Sequence, residues 1–229
     1  MRRGYHSIAG QVSRSVRALL GRVASAWSRC FNSAWDFLFY LPCGGEPAFR
    51  RRCVEFISPG EGESILDVCC GTGDLAAVIT REGRAGRLVG VDISRPVLDT
   101  ARARKGCSDF DVVRACGDAL PFRSSAFERC LVSFGLHHMP PEIRRKALAE
   151  IRRVLVPQGR MCVIDYNLPR SGPRRLAAVA NVRLDRSEDA WQMVREGRLR
   201  QEATEAGFDA MRRRLTCQGM VQMVEMVSR

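Results

Sequence analysis

Three carboxylates follow three successive predicted strands of the chain, each at the point where its strand ends. Asp67 lies in the stretch ILDVCCGTGD at residues 65–74, Asp92 ends VGVD at 89–92, and Asp118 follows in CGDALPF at 116–122. In an open parallel sheet the carboxyl ends of the strands meet at one edge, where ligands bind. One such acid would more often cap a turn or face solvent. Three in succession indicate a site for a ligand that is positively charged or rich in hydrogen-bond donors.

The glycine-rich loop after Asp67 narrows the class of ligand. Its spacing is Cys69-x-Gly71-x-Gly73, and Asp74 follows directly. This differs from the Gly-x-Gly-x-x-Gly of dinucleotide sites and lacks the Gly-Lys-Ser/Thr of a P-loop. Two carboxylates beside the loop would repel a pyrophosphate, whereas they suit the sulfonium and amino groups of S-adenosylmethionine.

The next two strand ends support a nucleoside ligand. Asp92 comes about 20 residues after the loop, the separation at which an acid accepts hydrogen bonds from ribose hydroxyls in nucleotide-binding sheets. Ile93 offers an apolar surface for adenine, and Asp118 is suited to the adenine amino group.

The ten cysteines raise the question of a redox or metal site, above all at the adjacent pair Cys69-Cys70. The chain has no Cys-x-x-Cys and no paired Cys/His spacing, which argues against a structural zinc site. Adjacent cysteines bridge each other only in a strained ring. We therefore predict no metal, reduced thiols in an intracellular protein, and a filling role for Cys69 and Cys70 in a turn whose backbone faces the cofactor.

Strand-like and helix-like segments alternate from residue 46 onward. Strands are predicted at 64–68, 87–91, 111–115, 129–134 and 160–164, and helices at 46–57, 74–81, 95–104, 141–155 and 188–206. This alternation predicts a parallel sheet covered on both faces. Two further strand-like runs at 209–216 and 220–227 predict a closing antiparallel hairpin. The predicted fold class is α/β and Rossmann-like, with a seven-stranded, mostly parallel sheet.

Residues 1–45 form a separate predicted segment, and residues 46–229 form the main domain. Arginines, but no acid, occur before Asp36, and apolar residues recur at helical spacing from Ile8 to Trp27. This pattern predicts a basic amphipathic helix. It could pack on the main domain, lie on an anionic membrane through residues 1–29, or direct the protein to an organelle. The net charge of +12 does not choose among these partners.

The series ILDVCCGTGD, VGVDIS, GDALPF and VSFGLHH resembles class I S-adenosylmethionine-dependent methyltransferases, most closely the quinone-biosynthesis UbiE/COQ5/MenG family. The similarity runs from about residue 31 to 165 and resumes weakly near the final strands. The resemblance implies that Gly71, Thr72 and Gly73 of the loop contact the cofactor. It also implies that Asp92 binds the ribose, that Asp118 and Ala119 bind the adenine, and that Ser133 lies near the methionine end.

His137 and His138, just past the fourth predicted strand, are the candidate general bases, with His137 slightly preferred. The alternative is that they line the pocket or cap the helix that begins near Pro141. Enzymes of the quinone branch usually have Arg-Asn at these two positions, and they carry a longer apolar insert after the fifth strand. Both departures bear on the identity of the acceptor.

The predicted function is methyl transfer from S-adenosylmethionine to a small-molecule or lipid-like acceptor, such as a quinone-type ring, at carbon or oxygen. The alternatives are another acceptor (an amine headgroup, a metabolite, a metalloid or RNA) and a non-catalytic cofactor-binding protein. The chain lacks Asn-Pro-Pro-Tyr and Pro-Cys motifs, which argues against methylation of nucleic-acid bases. We expect a cytoplasmic protein, peripheral to a membrane if its first segment binds lipid. The oligomeric state stays open.

Overall fold

A computed structural model describes residues 40–83, 85–103, 110–184 and 188–229. Within these ranges the strands are β1 (Ser64–Val68), β2 (Arg87–Asp92), β3 (Asp111–Arg114), β4 (Phe127–Ser133), β5 (Leu155–Tyr166), β6 (Phe208–Thr216) and β7 (Val221–Ser228). The helices are α1 (Glu46–Ile57), α2 (Asp74–Arg81), α3 (Arg95–Ala103), α4 (Pro141–Val154), α5 (Pro173–Leu184), α6 (Glu188–Glu196) and α7 (Arg198–Glu205). The predicted basic helix lies in residues 1–39, outside the described ranges.

The strands form one seven-stranded sheet in the order β3-β2-β1-β4-β5-β7-β6. Strands β1 to β5 are parallel, and β7 enters antiparallel between β5 and β6. The chain runs outward from β1 to β3 and then returns to the other side of β1 with β4. A crevice for a ligand therefore opens beyond the carboxyl ends of β1, β2 and β4. The predicted fold class and the C-terminal hairpin are confirmed.

The central strands are apolar on both sides because helices cover both faces of the sheet. In β1 every residue from Ile65 to Val68 is buried, including Asp67. One apolar cluster contains Leu66, Val68 and Val132 and packs under α4, while a second contains Ile65 and joins the sheet to α1 and α2. This rigid centre holds the loop that follows β1.

Three elements differ from the sequence predictions. Strand β5 begins at Leu155, earlier than predicted, because it continues directly from the end of α4. The single predicted helix over 188–206 is two helices, separated at Gly197, whose φ is +62°. Helix α5 was not predicted, because its arginine-rich sequence shows no clear apolar stripe. No described helix combines the length and apolar character that a bilayer span requires.

The expectation of reduced cysteines is wrong at one pair, because the structure joins Cys43 and Cys217 in a disulfide. Short 3₁₀ helices at Leu41–Cys43 and Cys217–Gly219 bring the two Cα atoms to 4.9 Å. The partners are 174 residues apart in the chain. No local spacing could have identified this pair.

Two arginines are buried in the domain and paired with acidic residues, of which Glu225 and Glu202 are buried and Glu63 is partly exposed. Arg129 on β4 contacts Glu63 at 2.7 Å and Glu225 on β7 at 3.1 Å. Arg144 on α4 pairs with Glu202 on α7 and also donates to the carbonyl of Met139 at 2.9 Å. Only 1% of the Arg144 side chain and 5% of the Glu202 side chain are exposed. Buried charges are tolerated only when paired, and these pairs join β4 to β7 and α4 to α7.

Candidate functional site

A cavity of about 520 Å³ opens at the carboxyl ends of β1, β2 and β4, where the strand order reverses. Its wall includes the loop after β1, the ends of β2 and β3, and the segment that follows β4. The topology places the loops after β2 and β3 on one side of β1 and the loop after β4 on the other. The lining residues differ between the two sides: Asp67 and Asp92 lie at the ends of β1 and β2, which form an acidic end, whereas Phe134, Met139 and Ile143 follow β4 and form an apolar end.

The loop after β1 is fastened to the end of β2 by a carboxylate. Asp92 accepts the backbone N–H of Gly71 through Oδ2 at 3.0 Å and that of Ser94 through Oδ1 at 2.8 Å. Cys69, Gly71 and Gly73 all have positive φ, which curls the loop tightly around the strand end. Asp92 is thus held in place at the cavity wall with lone pairs still able to accept ligand hydroxyls.

Asp67 is a buried carboxylate that faces the cavity, with 1% of its surface exposed. Its Oδ1 has no hydrogen-bond partner within the ranges that the structure describes. Burial, and then the charge of Asp92, raise the pKa of Asp67 to about 7, although Arg50 opposes the shift. A buried acceptor without a partner is costly unless a ligand supplies a donor. An ammonium group would satisfy Asp67, and a phosphate would be repelled.

Comparisons with known proteins decide the family. Residues 65–159 match the model of a methyltransferase domain. A 2-phytyl-1,4-naphtoquinone methyltransferase of Thermosynechococcus vestitus is 33% identical over 162 residues, which cover 69% of this chain and 67% of the relative. A demethylmenaquinone methyltransferase of Thermus thermophilus is 34% identical over 134 residues, 58% of this chain and 60% of the relative. The chain is a class I S-adenosylmethionine-dependent methyltransferase of the UbiE type.

The fold agrees with this assignment. An S-adenosylmethionine-dependent methyltransferase from Aquifex aeolicus superposes with a TM-score of 0.60 at 16% identity, over 78% of this chain and 88% of that chain. The family implies S-adenosylmethionine as the methyl donor. The residues present fit that group, since the lone acceptor on Asp67 and the carboxylate of Asp92 face a cavity next to a glycine loop.

The structure of the methyltransferase brings most of the predicted site residues to the cavity. Those on its wall are Asp67, Gly71, Thr72, Asp92, Ile93, Ser133 and His138. Gly73, Asp118, Ala119 and His137 do not line it. Gly73 instead precedes α2 and packs against the Phe110 ring. The residues after β3 that reach the wall are Ala115, Cys116 and Gly117, which lie three, two and one positions before Asp118.

Cys69 and Cys70 both lie on the cavity wall. Each thiol fills space beside a glycine. A Cβ at Gly90 would lie 2.8 Å from Cys70 Sγ, and one at Gly135 would lie 2.8 Å from Cys69 Sγ. Burial raises the pKa of Cys69 to about 12 and that of Cys70 further. Both thiols are therefore protonated at neutral pH and are poor nucleophiles or metal ligands.

The two histidines of the methyltransferase occupy different environments. His137 is 1% exposed and lies behind the wall, with its Nδ1 2.6 Å from Asp165 Oδ1. His138 is exposed and lines the cavity, and its Nε2 lies 3.1 Å from His137 Nε2. Of the two candidate bases, His138 therefore lies on the cavity wall and His137 lies behind it. The two rings do not cap α4, whose first residues follow Pro140.

Several residues of the wall were not found from the sequence. Tyr40 and Arg50 come from the segment before β1, and Phe134, Met139 and Ile143 follow β4. Phe134 was adjacent to a predicted site residue and could have been found by that position. Tyr40 and Arg50 carried no motif signal, since tertiary packing brings them to the cavity: Arg50 lies on α1, and the Tyr40 ring packs on Phe49 of that helix. Arg50 contacts Asp74 at 3.4 Å, which neutralises the second acid of the loop.

The two loop glycines offer a matched pair of variants. Gly71 has a φ of +55° and open space where a Cβ would project, whereas a Cβ at Gly73 would lie 2.6 Å from Phe110 Cζ. We expect Gly71→Ala to lose about 1–2 kcal/mol of unfolding free energy through backbone strain. Gly73→Ala should lose about 1–3 kcal/mol more through overpacking. Urea denaturation of both variants measures the difference, and equal losses would contradict the packing role of Gly73.

Proposed function

We propose that this methyltransferase methylates a flat, lipophilic, quinone-type ring in its reduced form, with S-adenosylmethionine as the donor. The observation that carries the proposal is the chemical division of the cavity. Carboxylates lie at the β1 and β2 ends, while Phe134, Met139, Pro140 and Ile143 lie beyond β4. Tyr40 also lines the cavity, and its ring centroid lies 5.0 Å from that of Phe49, which lies 6.0 Å from that of Phe134.

The acidic end would hold the cofactor. Asp92 would accept both ribose hydroxyls while it keeps the Gly71 loop in place. Asp67 would accept the amino group, and Ile93, which is 60% exposed, would cover one face of the adenine. Bound there, the cofactor supplies a methyl group on a positively charged sulfur, which needs positioning more than acid or base help. Thr72 and Ser133 line the same wall, and we propose contacts from both.

The apolar end favours a ring over an amine headgroup. An amine headgroup arrives as an ammonium ion, so it would need a carboxylate to hold its charge and to take up the proton that it loses before methyl transfer. Among the described wall residues that follow β4, none is acidic, and His138 is the titratable one. Aromatic rings continue behind the wall, since the Phe134 centroid lies 5.3 Å from that of Tyr166. The names of the relatives from Thermosynechococcus vestitus and Thermus thermophilus point to the same class of acceptor.

The proposal is tested by incubating the purified full chain with S-adenosylmethionine and 2-phytyl-1,4-naphthoquinone, either oxidised or reduced to the quinol by dithionite. Mass spectrometry should show a product heavier by one methyl from the quinol, because the reduced ring is electron-rich and attacks a cationic methyl group. Phosphatidylethanolamine, an amine, serves as the comparison acceptor. Methylation of the amine lipid with none of the quinol would overturn the proposal.

A variant of the apolar end provides the internal control. Ile143 lines the cavity near the start of α4. Ile143→Glu should raise the KM for the quinol about 10-fold or more, because it places a charge against the ring. The dissociation constant of S-adenosylmethionine, measured by isothermal titration, should stay unchanged. If Ile143→Glu weakened the binding of both the quinol and S-adenosylmethionine, the two ends of the cavity would not be separate subsites.

The affinity for the cofactor should depend on pH through Asp67. Its pKa of about 7 means that the carboxyl is neutral below this pH and ionised above it. Binding of a cationic amino group should therefore strengthen from about pH 6 to about pH 7.5, before the amino group itself loses its proton. Asp67→Asn should bind more weakly and lose this dependence. Titration calorimetry at several pH values measures this dependence. If the affinity of Asp67→Asn varied with pH as that of the wild type does, the assignment of the dependence to Asp67 would be wrong.

The same ionisation should appear in the stability of the unliganded protein. The pKa of Asp67 in the folded protein lies above its value in the unfolded chain. The contribution of Asp67 to the free energy of unfolding is therefore complete below the unfolded pKa and is lost as the pH rises through about 7. Asp67→Asn should remove this part of the pH dependence of unfolding. Urea melts from acid to neutral pH measure it.

We also propose that residues 1–29 contact an anionic membrane, where a lipophilic acceptor would be found. The support is the arginine-rich, acid-free sequence before Asp36. The full chain should sediment with vesicles that contain phosphatidylglycerol at low salt, and not with neutral phosphatidylcholine vesicles. Deletion of residues 1–28 should abolish this binding and leave the cofactor affinity intact. Equal binding by the deleted form would refute the role of this segment.

A further inference from the structure

Asp165, His137 and His138 form a continuous chain of polar contacts from the buried end of β5 to the cavity wall. From this chain we infer that His138 accepts the proton released by the methyl acceptor, and that Asp165 and His137 are positioning residues that orient His138 and stabilise its protonated form. The inference rests on the proposed function for the chemical step, but its geometry concerns residues of the protein alone.

The hydrogen bonds assign the protons in this chain. Asp165 Oδ1 lies 2.8 Å from the backbone nitrogen of Tyr166, which can only donate. Oδ1 is therefore an acceptor, and in its 2.6 Å contact with His137 Nδ1 the proton belongs to the imidazole. A neutral His137 then has a lone pair on Nε2, which accepts from His138 Nε2 at 3.1 Å. The basic atom of neutral His138 is consequently Nδ1.

Burial makes the chain electrostatically effective. Asp165 is 0% exposed and His137 is 1% exposed. Within the described residues, Oδ2 of Asp165 has no hydrogen-bond partner. The negative charge of Asp165 is thus poorly solvated and is directed at His137, where a low dielectric strengthens its effect. A carboxylate held in this setting interacts more strongly with a neighbouring imidazole proton than a solvated carboxylate would.

Packing keeps the rings in this arrangement. The centroid of His137 lies 4.8 Å from that of Tyr166, 6.3 Å from that of Phe134 and 4.1 Å from that of His138. The neighbouring aromatic rings restrict rotation of the buried imidazole, so its hydrogen bond to Asp165 determines its tautomer. The contacts that His137 makes on both nitrogens are those of an orienting group.

The proposed methyl transfer releases one proton overall. The hydroxyl O–H bond of the quinol breaks and its proton moves to His138 Nδ1, while the electron pair enters the ring. The ring carbon forms its bond to the methyl group, and the electrons of the broken methyl–sulfur bond remain on sulfur. The hydrogen on the methylated carbon then moves to the oxygen through solvent, and His138 releases its proton to solvent.

The positioning pair can be tested on the full chain without any acceptor. The protein has three histidines, and His6 lies outside the described residues. Long-range ¹⁵N–¹H correlation spectra report the tautomer of each neutral imidazole. The contact with His137 requires Nε2–H on His138, which is the commoner tautomer, whereas the contact with Asp165 requires the rarer Nδ1–H form of His137. His137→Gln and His138→Gln assign the signals. An Nε2–H form of His137 in the wild-type protein would overturn the inference.

Two variants of Asp165 separate hydrogen bonding from charge. Asp165→Asn can keep its oxygen as the acceptor for Tyr166 N–H and His137 Nδ1–H, so the tautomer of His137 should be retained while the charge is lost. Asp165→Leu removes the acceptor, and His137 should return to Nε2–H. Circular dichroism checks that both variants fold. A retained Nδ1–H form in a folded Asp165→Leu variant would refute the role of Asp165.

Kinetics with the reduced naphthoquinol test the roles in catalysis. His138→Gln should lower kcat about 10²-fold or more with little change in KM, because it removes the proton acceptor. Asp165→Asn should also lower kcat while KM and cofactor affinity stay constant, which a purely structural role would not produce. Full kcat in His138→Gln would overturn its role. If the histidines showed the expected tautomers but the enzyme did not methylate the quinol, the proposed acceptor would be wrong. Failure of the proposed function can therefore be distinguished from failure of the histidine assignment.

Discussion

Replacing Asp92 by alanine should weaken the binding of S-adenosylmethionine by about 100-fold or more. Two charge-assisted hydrogen bonds to the ribose hydroxyls are each worth about 1.5–3 kcal/mol. The variant also loses the acceptor that holds Gly71 N–H at 3.0 Å, so the loop is no longer preorganised. Isothermal titration of the purified protein measures the dissociation constant.

Two further variants sharpen this experiment. Asp92→Asn keeps one acceptor oxygen but loses the charge. Its affinity for S-adenosylmethionine should therefore lie between those of the wild type and Asp92→Ala. Asp99→Ala on α3 removes an acid whose side chain is 57% exposed, and it serves as the matched surface control with unchanged affinity. Wild-type affinity in a correctly folded Asp92→Ala protein would refute the ribose assignment.

Replacing Arg144 by methionine should lower the free energy of unfolding by about 3–5 kcal/mol, because it leaves a buried carboxylate without its cation. Arg144 and Glu202 are 1% and 5% exposed, and their pairing joins α4 to α7. The same substitution releases the carbonyl of Met139, which lines the cavity. Urea denaturation followed by circular dichroism measures the loss.

The double variant Arg144→Met with Glu202→Met should recover most of this stability, since it removes the stranded charge along with its partner. The control is Arg102→Met, which breaks an ion pair with Asp99 whose side chains are 49% and 57% exposed. Such a surface pair contributes about 0–1 kcal/mol. A double variant as unstable as Arg144→Met would show that packing, rather than the unpaired charge, causes the loss.

The strand and helix order could be predicted from the sequence because it depends on local patterns. The bounds of β1 (Ser64–Val68) and α2 (Asp74–Arg81) agree with the prediction residue for residue. Their apolar runs and the glycine loop between them are contiguous in the chain. Helix α5 and the break at Gly197 were missed, since weak periodicity and one glycine inside a helical pattern are poor local signals.

The acidic end of the cavity could also be predicted from the sequence. Asp67 and Asp92 reach the cavity because residues at the carboxyl ends of parallel strands converge wherever the strand order reverses. Cys116 and Gly117, rather than Asp118, reach the wall at β3. A turn after a strand can rotate each successive side chain into or out of a cavity, and residue types do not reveal that rotation.

The order of elements, the cofactor loop and its family follow from the sequence, because short-range pattern and residue chemistry specify them. The apolar wall with Tyr40, the Cys43–Cys217 disulfide and the contact of His137 with Asp165 required the folded chain. Each joins residues far apart in the sequence, and their proximity depends on how helices pack on the sheet. The different positions of His137 and His138 have the same origin, since one residue's step along a 3₁₀ helix separates the buried interior from the cavity wall.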